Sequence, residues 1–164
     1  MAVELHVQCL AQTAPEEIVR GYDRIFKTRF HLKESQNIVL ENGDPDCFFL
    51  EIPTEAKVLV MYTTVPEDPR YGAEELWANI DLGIYRTPET FLLGAAIAIV
   101  LAEANNGKIL DEAGLLGLGR GSVESERLHL AGYPGDFDQM AEAFARDRGV
   151  FQWKNRPWAS GHSS

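Results

Sequence analysis

The chain has 164 residues and a formal net charge of −10 at pH 7. A chain of this length can bury one core without disulfides or metal ions, so we predict a single domain over residues 1–158 and a flexible tail over residues 159–164. A hydrophobic fraction of 45% and a charged fraction of 24% exclude a disordered chain. The negative charge repels phosphate backbones and anionic lipids, which argues against nucleic acid and membrane partners.

The acidic residues are concentrated in two neighbouring segments. Residues 41–55 contain five acids and no base, and residues 67–81 contain five more against Arg70 alone. Lys57 is the one base between the two segments. Because opposite charges steer diffusional encounter, a protein with a basic surface would be drawn to this region.

The sequence contains no pattern that indicates a cofactor, a metal site or a membrane-spanning segment. Cys9 and Cys47 are the only cysteines, and neither they nor the histidines have zinc-ligand spacing, so we expect reduced thiols, no metal and no cofactor. The N-terminus lacks the regions of a signal peptide, which favours a cytoplasmic protein. The longest apolar run, residues 91–102, is shorter than the roughly 20 residues that span a bilayer.

The first predicted element is a strand over residues 2–10, where apolar and polar residues alternate. Thr13 and Glu16 then form a capping-box pattern, which predicts that a helix begins here, and apolar residues at helical spacing continue it. Residues 36–40 and 47–52 are β-rich and flank the turn-forming sequence ENGDPD, which predicts a hairpin.

A further strand is predicted over residues 57–65, and residues 76–85 alternate most clearly of all. One face of the latter strand is apolar and is expected to join the core. Its members are Leu76, Ala78, Ile80, Leu82 and Ile84. Thr87 and Pro88 predict the start of a helix that is apolar on nearly all sides, and Asn105-Asn106-Gly107 predicts its end.

The chain is completed by a brief strand over residues 108–110, a more polar helix over residues 134–147 and a final strand or arm over residues 150–153. This order of elements predicts an α+β fold with helices on one face of a mostly antiparallel sheet. We expect the central apolar helix to lie on the sheet, with one or two further helices beside it.

The segment GLLGLGRGS, residues 114–122, comes close to a phosphate-binding loop. Gly114 and Gly119 have the required separation, but Arg120 stands at the lysine position and Gly121 at the hydroxyl position. The spacing also fails the dinucleotide-binding pattern, and the following residues have too little helical patterning to present a helix N-terminus to an anion. We therefore predict that this loop binds no nucleotide.

A catalytic site has no clear motif in this chain. Asp111 follows a predicted strand, and Ser122, Ser125 and His129 could be arranged with it as a triad, but no nucleophile-elbow pattern accompanies them. We therefore assign no catalytic residue and favour a non-enzymatic protein. The alternative is a small enzyme or ligand-binding domain with a cleft near Asp111, the 114–122 loop and His129.

The second face of the predicted strand 76–85 carries aromatic and acidic residues, and it is either open to a partner or covered by a helix. In a regular strand Trp77, Asp81 and Tyr85 project together, and large aromatic residues are enriched at interface hot spots. If this face is open, it forms a partner-binding site with the nearby acids. The predicted site residues are Trp77, Asp81, Tyr85, Glu67, Asp68, Glu74 and Glu75.

Residues 91–114, FLLGAAIAIVLAEANNGKILDEAG, combine an alanine-rich helix, a glycine turn, a short strand and an acid. In this segment, in its size and acidity and in its lack of catalytic motifs, the chain resembles the small acidic α+β immunity proteins that bacteria make against polymorphic and contact-delivered toxins. The resemblance implies a protein that covers a basic toxin domain by charge complementarity, and it carries over no functional residue. A secretion chaperone or adaptor for an apolar client segment is a further alternative.

Overall fold

Strands and helices follow one another in the order β-α-β-β-β-β-α-β-α-α in the computed structural model. The structure describes residues 4–27, 30–38, 47–68, 73–83, 87–111 and 121–148. The strands are β1 (Glu4–Cys9), β2 (Lys33–Ile38), β3 (Cys47–Ile52), β4 (Ala56–Asp68), β5 (Ala73–Asp81) and β6 (Ile109–Leu110). The helices are α1 (Pro15–Phe26), α2 (Pro88–Asn105), α3 (Val123–Ala131) and α4 (Phe137–Asp147).

The six strands form one sheet in the order β2-β3-β4-β5-β1-β6, and each strand pairs with its neighbours in antiparallel register. The predicted α+β fold, with one domain and a mostly antiparallel sheet, is therefore confirmed. The predicted hairpin is formed by β2 and β3, with Ile38 opposite Cys47. Its turn sequence lies outside the described residues, as do the predicted strand or arm at 150–153 and the predicted tail at 159–164.

One face of the sheet forms the core together with the helices. Leu5 and Val7 of β1 are fully buried, and they lie opposite Ile80 and Ala78 of β5, which are also fully buried. The residues between them are only partly buried or exposed. This alternation is the one that the sequence predicts for a half-buried strand, and it fixes which side chains face away from the helices.

Helix α2 occupies the centre of the core. Its start is as predicted, because the side chains of Thr87 and Thr90 each accept a hydrogen bond from the backbone of the other, at 3.2 and 3.1 Å, and Pro88 follows the cap. It ends at the left-handed Asn106. By length and composition α2 could cross a membrane, but 83% of its apolar stretch is buried against the sheet and the other helices, as in a core helix.

The capping box predicted at Thr13 is wrong. Helix α1 begins at Pro15, and its N-cap, Ala14, makes no side-chain cap. Thr13 is held by tertiary contacts instead, since its backbone amide donates to the Tyr62 hydroxyl at 3.0 Å and its carbonyl accepts from the same hydroxyl at 2.9 Å. The amide of Asn105 also donates to the Thr13 hydroxyl. These long-range partners replace the local cap.

Helix α3 is not predicted, because its segment has too little apolar patterning to be recognised as a helix from the sequence. The helix begins after Ser122, whose hydroxyl accepts from the Ser125 amide at 3.1 Å. The inward side of α3 carries the buried Glu126, which forms an ion pair with Arg148, and the buried Leu130. A charged residue at an inward position hides the helical period, and its partner lies in the distant C-terminal part of the chain.

Several further boundaries differ from prediction, and β2 begins at Lys33 and ends at Ile38 rather than spanning residues 36–40. Helix α4 begins at Phe137, three residues later than predicted, after a capping box formed by Asp136 and Gln139. Strand β5 begins at Ala73 and ends at Asp81, whereas the sequence pattern predicts a strand from 76 to 85. The end of β5 bears directly on the candidate site.

Gly107 joins the end of α2 to β6, and it allows the backbone there to lie close to the backbone of β1. A Cβ atom at this position would collide with the backbone carbonyl oxygen of Gln8. The Gln8 amide donates to the carbonyl of Lys108 at 3.0 Å, so the contact lies within the pairing of β1 with β6. Only glycine fits between these two backbones.

We expect Gly107→Ala to lower the free energy of unfolding by about 1–3 kcal/mol, because the two backbones must separate. Gly132→Ala is the matched control. Its backbone is right-handed helical, and an added Cβ would be 3.5 Å from the nearest atoms, so its stability should be almost unchanged. Urea unfolding measures both, and equal stability of the two variants would contradict the steric argument.

Tyr62→Phe should lower the free energy of unfolding by about 1–3 kcal/mol, because the buried Thr13 amide loses its acceptor. Burial raises the pKa of Tyr62 from 10.0 to about 12, so the fold favours the neutral hydroxyl. This contribution is fully present below pH 10 and is lost as the pH rises towards about 12. Urea unfolding across this range should show a smaller alkaline loss of stability in Tyr62→Phe than in the wild type. Parallel curves would refute the assignment.

Candidate functional site

The face of the sheet turned away from the helices, here called the outer face, carries Trp77. In the register of β5, Trp77 lies between Gln8 of β1 and Thr63 of β4. The side chain is partly buried, and its indole N–H donates to the Glu75 carboxylate at 2.9 Å. Trp77 is therefore held in one orientation by its same-face neighbour, and none of the four described helices covers it.

Asp81 shares this face and is the last residue of β5. It lies four residues from Trp77, which is about 13 Å along a strand. One carboxylate oxygen of Asp81 accepts from the Gly83 amide at 2.7 Å, and Gly83 has a positive φ of 83°. This turn ends the alternation, so the expectation of one regular strand reaching Tyr85 is wrong. Tyr85 itself lies outside the described residues.

The predicted acids divide between the two sides of the sheet. Glu75 is on the outer face with Trp77, whereas Glu74 is exposed and projects to the opposite side because successive strand residues alternate. Glu67 and Asp68 belong to the end of β4, and their side chains lie outside the description. The structure thus places Trp77, Glu75 and Asp81 on one face, with Glu75 bonded to Trp77 and Asp81 farther along the strand.

A polar ladder, which the sequence pattern does not reveal, crosses the middle of the outer face. The side-chain oxygen Oδ1 of Asn79 lies 2.6 Å from Nδ1 of His6, which donates to it. The side-chain Nδ2 of Asn79 donates to the Thr63 hydroxyl at 2.9 Å and to the backbone carbonyl of Met61 at 3.2 Å. The ladder joins β1, β5 and β4, and the only signal that could have found it is the cross-strand register.

An apolar strip lies beside this ladder on the outer face. It is formed by the partly buried Phe49, Leu59 and Met61. Phe49 lies opposite Leu59 in the register, and the Lys57 ammonium lies 4.4 Å from the centre of the Phe49 ring. The sequence did not reveal the strip, because nearly every residue from 58 to 62 is apolar and the two faces cannot be told apart there.

Residues 114–120, which make up most of the loop in the alternative cleft, lie outside the described residues. A cavity of about 360 Å³ lies between β6 and the start of α3, where Lys108, Ser122 and Glu126 are among its lining residues. His129 is not among them. Ser122 caps α3, so it and His129 do not form the triad that the sequence left open.

His129 belongs instead to a contact between α3 and α4. The Tyr133 hydroxyl donates to the Asp147 carboxylate at 2.6 Å, and it lies 2.9 Å from Nε2 of His129. Burial and the bond to Asp147 raise the pKa of Tyr133. Together with the ion pair between Glu126 and Arg148, these bonds fix the packing of the two helices.

The described ranges contain no group of three or more His, Cys, Asp or Glu side chains that could hold a metal ion. Both cysteines are free and buried, and burial raises the pKa of the Cys9 thiol. Both features are those of structural thiols rather than of reactive ones.

Comparisons of the chain with family models, with curated proteins and with solved structures found no match. What the geometry itself defines is an α+β domain with helices on one face of its sheet and an aromatic, acidic outer face.

Trp77→Ala should leave the domain folded and lower the free energy of unfolding by about 1–2 kcal/mol, because the indole is only partly buried. Ile80→Ala, on the core face of the same strand, should cost about 2–5 kcal/mol. Circular dichroism and urea unfolding measure both variants. A loss in Trp77→Ala as large as that in Ile80→Ala would mean that the outer face is packed like the core.

Proposed function

We propose that this chain is a non-enzymatic binding protein whose outer face neutralises a cognate protein with a basic surface, namely a bacterial toxin domain. The observation that carries the proposal is the position of Trp77 on the face opposite the helices, between Glu75 and Asp81. On the sequence argument, we propose that it acts in the cytoplasm as an immunity protein and uses no cofactor or metal.

The orientation of Trp77 supports this proposal. Tryptophan is among the residues most enriched at binding hot spots, since it offers a large area that a partner can desolvate. The bond from its indole N–H to Glu75 holds the ring before a partner arrives, which lowers the entropy lost on binding. The apolar strip of Phe49, Leu59 and Met61 extends the contact area across β4 and β3.

The charge of the outer face supports a cationic partner. Glu4 lies opposite Asp81 in the register of β1 and β5, and Glu75 lies at the other end of β5. These acids lie at both ends of β5, with Trp77 between them, so they would attract lysine and arginine side chains of a partner to the surface around Trp77. The net charge of −10 adds a long-range field of the same sign.

The two alternatives predict different behaviour. A secretion chaperone would use the apolar strip to hold an apolar client segment, and its binding would depend little on salt. A small enzyme or ligand-binding domain would use the cavity beside β6, and substitutions on the outer face would leave its activity unchanged. Binding to a basic toxin domain differs from both, because it needs Trp77 and weakens as salt rises.

The decisive experiment measures binding kinetics at two ionic strengths against a candidate toxin domain encoded beside this chain. Trp77→Ala should weaken binding by about 2 kcal/mol or more, mainly through faster dissociation. Leu128→Ala, an exposed apolar residue on α3, is the control and should bind like the wild type. A folded Trp77→Ala variant with unchanged affinity would refute the proposed interface.

The same assay distinguishes long-range electrostatic attraction, which changes the association rate, from direct contacts, which change the dissociation rate. Glu4→Lys should slow association and flatten its salt dependence, because Glu4 is an exposed acid on the outer face, opposite Asp81. Glu124→Lys makes the same charge change on α3, on the helix side, and should have a smaller effect. Equal effects of the two substitutions would show that only the net charge matters.

A further inference from the structure

A second concave site lies on the helix side of the protein, away from the outer face. It is a cleft of about 380 Å³ between α1, α2 and α3, and its rim carries Arg20, Arg24 and Arg127. We call it the arginine cleft. In a chain with 25 acids and 15 lysines and arginines, three guanidinium groups around one cleft are a local reversal of charge.

The cleft has a small, apolar floor. Gly21, Val100 and Ala104 line it, and a Cβ atom at Gly21 would lie only 2.5 Å from a methyl carbon of Val100. The glycine therefore lets α1 approach α2 closely at this point, and the longer side chains on both sides of it form walls. The other lining residues are polar or charged, so the cleft suits a polar ligand, and its volume falls within the range of about 300–1,000 Å³ that is typical of small-ligand sites.

The arginines are poorly neutralised by the residues around them. Arg20 and Arg24 are one turn apart on α1, and neither makes an ion pair or a hydrogen bond with any other residue that the structure describes. Nε of Arg127 lies 2.9 Å from a carboxylate oxygen of Glu103 but makes no aligned hydrogen bond in the described part of the chain. With Glu17 and Glu103 on the rim, the cleft has three cations and two anions.

We propose that the arginine cleft binds a small multivalent oxyanion, through the carboxylate or phosphate groups of a soluble molecule. Guanidinium groups present paired N–H donors that match the oxygens of both groups. Two unpaired arginines one turn apart can grip two oxyanion groups of one ligand, while its carbon skeleton covers Val100 and Ala104. The size of the cleft and the repulsion of long polyanions by the net charge favour a small molecule over a nucleic acid.

The test is titration of the full chain with citrate, with pyrophosphate and with inorganic phosphate, followed by calorimetry and by amide chemical shifts. At low ionic strength we expect citrate or pyrophosphate to bind with a dissociation constant of about 1 mM or tighter, and phosphate more weakly. A preference for citrate identifies carboxylates as the ligand groups, and a preference for pyrophosphate identifies phosphates. Shifts of the Gly21, Val100 and Ala104 amides would locate the ligand in the cleft.

Arg20→Gln and Arg24→Gln should each weaken the preferred probe about tenfold, because a charged donor is lost. Both residues are exposed, so the variants should keep the melting temperature of the wild type. Arg146→Gln makes the same charge change in the last turn of α4, outside the cleft lining, and should bind within about twofold of the wild type. The proposal is overturned if no probe binds, if shifts map elsewhere, or if Arg146→Gln weakens binding as much as the cleft variants.

Discussion

Helix α2 must be buried on nearly every side, and this requirement determines how the sheet and the other helices are arranged. Because this helix is apolar on nearly all sides, other elements must pack against it from several directions, and one sheet or one helix could bury only one side. The sheet covers one side, and α1, α3 and α4 contact the others. All four described helices therefore lie on one face of the sheet, and none of these four lies on the outer face. The position of the candidate interface follows from how the core is built.

Much of this fold could be predicted from local sequence. Strand alternation places Leu5, Val7, Ala78 and Ile80 in the core, and the threonine and asparagine caps of α2 are contained in the residues beside them. The cap of α1 and the existence of α3 could not be predicted in this way. Tyr62 binds the Thr13 backbone and Arg148 pairs with Glu126, and both partners are distant in sequence. Where such long-range contacts satisfy buried polar groups, local sequence preferences do not determine the structure.

In the candidate site, too, some features follow from local sequence and others depend on contacts between distant residues. The period of two correctly puts Trp77 and Asp81 on one face, but the end of β5 depends on the turn that Asp81 makes with Gly83. The ladder from His6 through Asn79 to Thr63 depends on register between strands that are separated by tens of residues. The arginine cleft shows the same limit. Its floor depends on the contact of Gly21 with Val100, and neither residue reveals the other in the sequence.

The place of β1 in the sheet has a consequence for the order of folding. The first strand of the chain lies between β5 and β6, so its partners are residues 76–81 and 109–110. During synthesis these partners emerge long after β1 itself, and until then β1 has two unpaired edges and an uncovered apolar face. Closing so long a loop is slow, since its entropy is lost before any pairing is gained. The nascent sheet therefore cannot be completed until β6 has been made, and the chain must stay soluble without its own first strand in place.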